Sequence, residues 1–144
     1  MTKMIFVNLP VADLPRSKAF YEAVGFINNP QFTNDKAAAM MWSDTIVVML
    51  LRHDFWATFT SKAIPNAKES AQVLLCLSMD DREAVDGIVV GATRAGGTPD
   101  PTPTQDHGFM YGRSFEDPDG HIWETMWMDP KVAAGEVPVE HIEA

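Results

Sequence analysis

A lone carboxylate, Glu124, stands in the mostly apolar run Ile122-Trp123-Glu124-Thr125-Met126-Trp127-Met128. Alternate side chains of a strand share a face, which groups Glu124 with Ile122, Met126 and Met128. A carboxylate among such neighbours is poorly solvated, and the resulting upward push on its pKa suits a general acid or base. The plainer alternative is an ion pair with Arg113 or Arg52, or a structural hydrogen bond. His121 lies three residues before Glu124, on the opposite strand face, so the two do not chelate one ion. His107, in Asp106-His107-Gly108 ahead of another apolar strand, is a second candidate base or ligand; otherwise it is a loop histidine bonded to backbone. Arg113 alternates with Phe109, Tyr111 and Phe115. It is placed either to hold a ligand carboxylate bidentately, to stack on a ring, or to pair with a nearby acid. Met40, Met49, Met110, Met126 and Met128 would line a cleft for a flat ligand or fill the core.

Other chemistries find no pattern. There is no Gly-x-Ser-x-Gly elbow and no phosphate loop, and Gly91, Gly96 and Gly97 do not make a dinucleotide fingerprint. Cys76 is the one cysteine, which excludes an internal disulfide and a thiol-based zinc site. Its place within a strand predicts a buried, inert thiol.

The elements that must position these residues repeat. Residues 4–9 read as a strand ending at Pro10, and Asp13, Pro15 and Gly25 bracket a helix over 13–24. Strands follow over 26–33, 37–42 and 45–51, with Asn34-Asp35 and Ser43-Asp44 as turns. Residues 52–70 carry His53, Phe55, Trp56 and Phe59; they are a linker whose aromatics pack on the core, or a loop over a pocket. The order then recurs: a strand over 72–79, a helix from Asp80 or Asp81 to Ala95, and a weak, proline-broken strand over 98–104. Strands over 109–115 and 121–128 follow, joined by the tight turn Asp117-Pro118-Asp119-Gly120. A shift of 81 − 13 = 68 residues superimposes Val11-Ala12-Asp13 on Met79-Asp80-Asp81. One domain over 1–144 is expected: module one 1–51, linker 52–70, module two 71–129 and an acidic, mobile or docked tail 130–144. Neither module buries its sheet face alone, so the two pack as a unit.

The composition bounds the partners. With 11 Lys+Arg, 20 Asp+Glu and a net charge of −9, nucleic acid and anionic membrane surfaces are poor partners. The longest apolar run, Ile46 to Leu51, is too short to span a bilayer, and residues 1–7 lack a secretory apolar region. A cytoplasmic protein is expected.

The stretch Phe6-Val7-Asn8-Leu9-Pro10-Val11-Ala12-Asp13-Leu14, followed by Ser17, Phe20-Tyr21 and Gly25-Phe26, resembles the opening module of the vicinal oxygen chelate superfamily. That superfamily contains glyoxalase I, the bleomycin-resistance proteins and the extradiol dioxygenases. Phe115-Glu116-Asp117-Pro118-Asp119-Gly120-His121-Ile122-Trp123-Glu124 resembles its closing signature, so the likeness spans about residues 3–129. The resemblance implies an α+β fold of two paired βαβββ modules, a curved mixed sheet around a cleft, and a homodimer. In metal-dependent members, the first and fourth strands of each module supply one His, Gln or Glu each. Those positions fall on Phe6, on or beside Val48, on Leu74 and on Glu124, and three of the four are apolar. A shift of one residue recovers no ligand set, so no metal and no other cofactor is expected, although a divalent ion recruited through His107 is the competing thought. The resemblance thus implies a binder of a small organic ligand in an apolar cleft. The alternative is a glyoxalase-type lyase or isomerase with Glu124 and His107 as catalytic groups. Ligand contacts are expected from Phe6, Asn8, Trp42, Leu74, Tyr111, Arg113 and Met126.

Overall fold

A computed structural model describes residues 2–136. Strand β1 (Ile5–Val11) leads into helix α1 (Leu14–Ala23), then β2 (Ile27–Asn29), β3 (Ala37–Met41) and β4 (Ile46–Arg52). These four strands form one mixed sheet in the order β1-β4-β3-β2, with β1 parallel to β4. After the short helix α2 (His53–Trp56), the second module repeats the plan: β5 (Leu75–Ser78), α3 (Arg82–Arg94), β6 (Thr98–Pro99), β7 (Gln105–Asp106), β8 (Met110–Glu116) and β9 (Ile122–Met128). Its sheet runs β5-β9-β8-β6, with β5 parallel to β9 and β7 also paired to β8. A last short helix, α4, covers Pro130–Ala133. The expectation for the acidic tail falls partly on residues 137–144, outside the described residues. The fold is the α+β pair of βαβββ modules that the sequence pattern implies.

Local chemistry explains the boundaries. The Asp13 carboxylate accepts the Arg16 N–H at 3.1 Å to start α1, and Asp81 accepts the Ala84 N–H at 2.7 Å to start α3; each cap satisfies an otherwise orphaned donor. Helix α3 buries Val85, Ile88, Val89 and Ala92, a spacing of i, i+3, i+4 and i+7 that puts one stripe against the core. The strand expected over 26–33 stops at Asn29, because Pro30 opens a 3-10 turn over Pro30–Phe32 that the Asn29 side chain caps. Conversely β1 runs through Pro10 to Val11. Pro10 is tolerated because β1 is an edge strand. The weak strand expected over 98–104 is instead two dipeptide strands on either side of a proline-containing loop.

One apolar core joins the modules. Val48, Leu50 and Met40 of the first sheet, Phe20 and Tyr21 of α1, Val89 of α3, and Phe115 and Trp123 of the second sheet are all buried in it. Tyr21 is its polar pivot. Its hydroxyl donates to Asp117 Oδ2 at 2.7 Å and accepts the Trp123 indole N–H at 2.9 Å. Burial, then the Asp117 carboxylate, push the Tyr21 pKa well above its ordinary value. The turn Asp117–Gly120 is a staple between modules. Asp117 Oδ1 accepts the N–H groups of Asp119, Gly120 and His121. Asp119 reaches across to the Ala12 N–H at 2.8 Å and the Ser17 hydroxyl at 3.2 Å. Gly120, at φ +103°, has backbone of Ala67 and Lys68 within 2.8 Å of where a Cβ would stand. Only glycine serves there. The closing signature therefore has a structural job at Asp117, Asp119 and Gly120.

Candidate functional site

Strand pairing puts the side chains of the first sheet into rows. Phe6, Val47 and Met41 are register partners across β1, β4 and β3; Asn8, Met49, Ala39 and Asn29 form the next row, extending to β2. These rows face away from α1, whereas Val48 and Leu50 face the core. The outer rows line a groove of about 600 Å³ whose wall is completed by Phe32, Phe55 and Phe59. Phe6, Phe32 and Phe59 keep 58%, 61% and 59% of their surface exposed, so the groove is open and aromatic. No charged side chain lines it; its only polar side chains are the amides of Asn8 and Asn29. The Asn29 Oδ1 is already used by the Gln31 N–H. Ala39, between Met49 and Asn29, hollows the middle of the row.

The sequence supplied Phe6 and Asn8 as ligand contacts, and Met49, Phe55 and Phe59 as one of two readings, but not Asn29, Phe32, Ala39, Met41 or Val47. The row partners Met41 and Met49 follow once β1 is paired parallel to β4. Phe55 and Phe59, which stack edge-to-face at 5.1 Å, bring residues 52–70 to the groove. The pocket reading of that stretch describes their position better than the core-packing one.

The second module presents a different face. Cys76 and Glu124 are register partners in β5 and β9, and Met126 lies beside Gly112 and Gln105. With Thr102, Pro103 and Met110 they line a shallower depression of about 200 Å³. Glu124 is half-buried and has no side-chain partner among the described residues. The two arginines considered for it are engaged elsewhere. Arg52 binds Asp54 with two bonds of 2.6 Å. Arg113 binds Asp100 at 2.7 and 3.0 Å and Asp86 at 3.0 Å. Cys76 is exposed rather than buried, because β5 is an edge strand and its outer face has no covering helix. Partial burial, then the neighbouring Glu124 charge, raise the thiol pKa.

Several expected contacts lie elsewhere. Trp42 packs on Phe26 at 5.0 Å, against the core. Tyr111 and Arg113 point to α3, where the Tyr111 hydroxyl donates to Asp86 at 2.7 Å. They lie on the face opposite Glu124, as strand alternation requires. Leu74 is exposed just before β5, and Val48 faces the core, so the outward neighbours in β4 are Val47 and Met49. His107 stacks on Phe109 at 6.1 Å and is not among the residues lining the Glu124 depression. His121 is half-buried, with its Nε2 donating to the Pro10 carbonyl at 2.8 Å.

Residues 3–41 match the family described as bleomycin resistance protein-like N-terminal. A hypothetical protein from S. aureus has the same fold, with a TM-score of 0.73 and 28% identity over 88% of this chain and 94% of that one. A glyoxalase/bleomycin resistance protein/dioxygenase family enzyme from Burkholderia phytofirmans PsJN superposes with a TM-score of 0.71 at 21% identity, covering 88% and 99%. The chain shares the glyoxalase/bleomycin-resistance fold of these structures. TnmS3, an antibiotic binding protein from Streptomyces sp., shares the vicinal oxygen chelate fold with a TM-score of 0.62 and 20% identity over 89% and 97% of the two chains. No curated protein matches the chain.

The metal that the resemblance implies can be tested against these side chains. The four positions that the resemblance assigns to ligands present Phe6, Val47 or Met49, Leu74 or Cys76, and Glu124. Among the described residues no three His, Cys, Asp or Glu side chains converge. One carboxylate and one thiol of raised pKa, with thioether and phenyl neighbours, are not the donor set a divalent ion needs. Among the described residues, no helix is long and apolar enough to cross a membrane.

Proposed function

We propose that this protein binds a small, uncharged, flat organic molecule on the outer face of module one, without the superfamily's four-ligand metal. The observation that carries the reading is the groove itself. At about 600 Å³ it has the size of a small-molecule site. It is walled by phenylalanine and methionine and carries no charge. Strand spacing puts Asn8 and Asn29 roughly 14 Å apart across three strand intervals. A ligand of two or three fused rings spans that distance, laying its faces on Met41 and Met49 and its polar edges on the amides. One structural neighbour is named an antibiotic binding protein, which supports a binding role on this fold. The same reading takes the chain as a cytoplasmic homodimer. Its charge of −9 supports the absence of nucleic-acid and membrane partners.

Nile red, a neutral flat dye, is the first probe. Saturable fluorescence with wild type, lost in Met49→Asp with the fold intact by circular dichroism, is the expected result. Equal binding by the variant would overturn the reading. Elemental analysis of protein purified without chelator is its companion, with far less than one divalent ion per chain expected. One ion per chain, lost in Glu124→Ala, would instead favour a lyase or isomerase built on Glu124.

A further inference from the structure

A second cavity, of about 400 Å³, lies where the modules meet. Its lining comes from five segments: the end of β1, the first turn of α1, the start of α2, linker residues 64–68 and the β8–β9 turn. The charged and titratable side chains among them are Arg16, His53, Lys68, Asp119 and His121. Neither Arg16 nor Lys68 makes an ion pair among the described residues. Asp119, the one acid, already has both carboxylate oxygens bonded, to the Ala12 N–H and the Ser17 hydroxyl. His121 donates its Nε2–H to Pro10, which leaves Nδ1 as the ring's free atom. Two unpaired cations against one committed carboxylate give a locally positive hollow on a chain of net charge −9.

The hollow is built rather than accidental. The main chain at Lys68 is fixed: its backbone N–H donates to the Asn66 side-chain Oδ1 at 3.0 Å, and the linker lies on Gly120 at a distance that only glycine permits. Arg16 sits in the first turn of α1, which the Asp13 cap fixes. Pro10, Pro65, Pro118 and Ile64 supply stiff apolar surface beside the charges. The volume exceeds what a bare oxyanion fills and lies within the range of organic-ligand sites.

We infer that this cavity is a second binding site, for a small organic anion of the phosphate monoester class. Its phosphate oxygens take hydrogen bonds from Arg16 and Lys68, and its organic part lies on the prolines and Ile64. Charge-assisted bonds to both cations supply the affinity. The site is separate from the module-one groove and does not depend on that groove's function.

Phenyl phosphate is the probe, with phenol and inorganic phosphate as controls, read by the ring resonances of His53 and His121. The expected result is saturable shifts with phenyl phosphate, weaker binding of inorganic phosphate, and none with phenol. The double variant Arg16→Gln/Lys68→Gln should bind about tenfold or more weakly. Both side chains are exposed, so its melting temperature should be unchanged. Each single variant should fall between. No saturable shift in wild type, equal binding by the double variant, or equal response to phenol would each overturn the assignment. Met49→Asp should leave these shifts intact, so failure of the groove and failure of this site are told apart.

Discussion

The two modules share a topology and differ in what their outer faces carry. Each pairs its first strand parallel to its fourth, and each turns its inner face onto the common core. On module one the outer rows are Phe6-Val47-Met41 and Asn8-Met49-Ala39-Asn29, open and uncharged. On module two the corresponding positions hold Cys76-Glu124-Ser114 and Ser78-Met126-Gly112. Ser114 is buried there because the Thr102 loop bonds its hydroxyl, which covers part of the face. The face that carries a carboxylate has the smaller hollow, and the face without a charged side chain has the larger one. The same strand pairing thus carries two faces of different chemistry.

The comparison can be broken most severely at Met49. Placing a carboxylate there, at the centre of the uncharged row, should weaken Nile red binding about a hundredfold, while Met126→Asp on the other face should leave it unchanged. A titration of both variants checks this. Next in size is the shared core. Tyr21→Phe leaves the Trp123 N–H and Asp117 short of a buried partner, so a loss of about 2–3 kcal/mol in urea denaturation is expected. Glu124→Gln, at a side chain with no partner among the described residues, should shift stability by less than about 0.5 kcal/mol by the same measurement. A large loss at Glu124 would mean that it is a structural anchor.

The smallest expected effect concerns the ion pairs on the helix side of module two. The Arg82 guanidinium, then the Gly108 N–H, lower the Asp106 carboxyl from 3.8 to about 2. A depressed carboxylate contributes stability above its unfolded pKa and loses it as pH falls through the folded one. Wild type should therefore lose slightly more stability than Asp106→Asn between pH 4 and pH 2, in parallel acid titrations followed by circular dichroism. The pair is solvent-exposed, so the difference should be small and should shrink in salt.

Much of the fold was legible because its signals are local. The caps Asp13 and Asp81, the apolar spacing of α3 and the Asp117–Gly120 turn each state their structure in a few residues. The site was legible only in part. Phe6, Asn8 and Met126 lie on outer faces, as alternation along one strand suggests. Trp42, Tyr111 and Arg113 look the same in sequence, yet a core contact with Phe26 and the aspartates Asp86 and Asp100 claim them. Those partners lie 13 to 27 residues away in sequence for Arg113, beyond the reach of any local pattern. Phe32 stayed hidden, and Phe55 and Phe59 were legible only as one of two readings of residues 52–70, for the opposite reason. They come from a turn and a linker without periodicity, and only the folded chain brings them to one groove.

The central claim is that the ligand sits on the face of module one. Labelling the methionine methyl groups and adding Nile red tests it in one spectrum. Perturbed methyl signals from Met41 and Met49, with those of Met110 and Met126 unmoved, is the result this account predicts. Shifts confined to Met110 and Met126 would place the ligand beside Glu124 and contradict it.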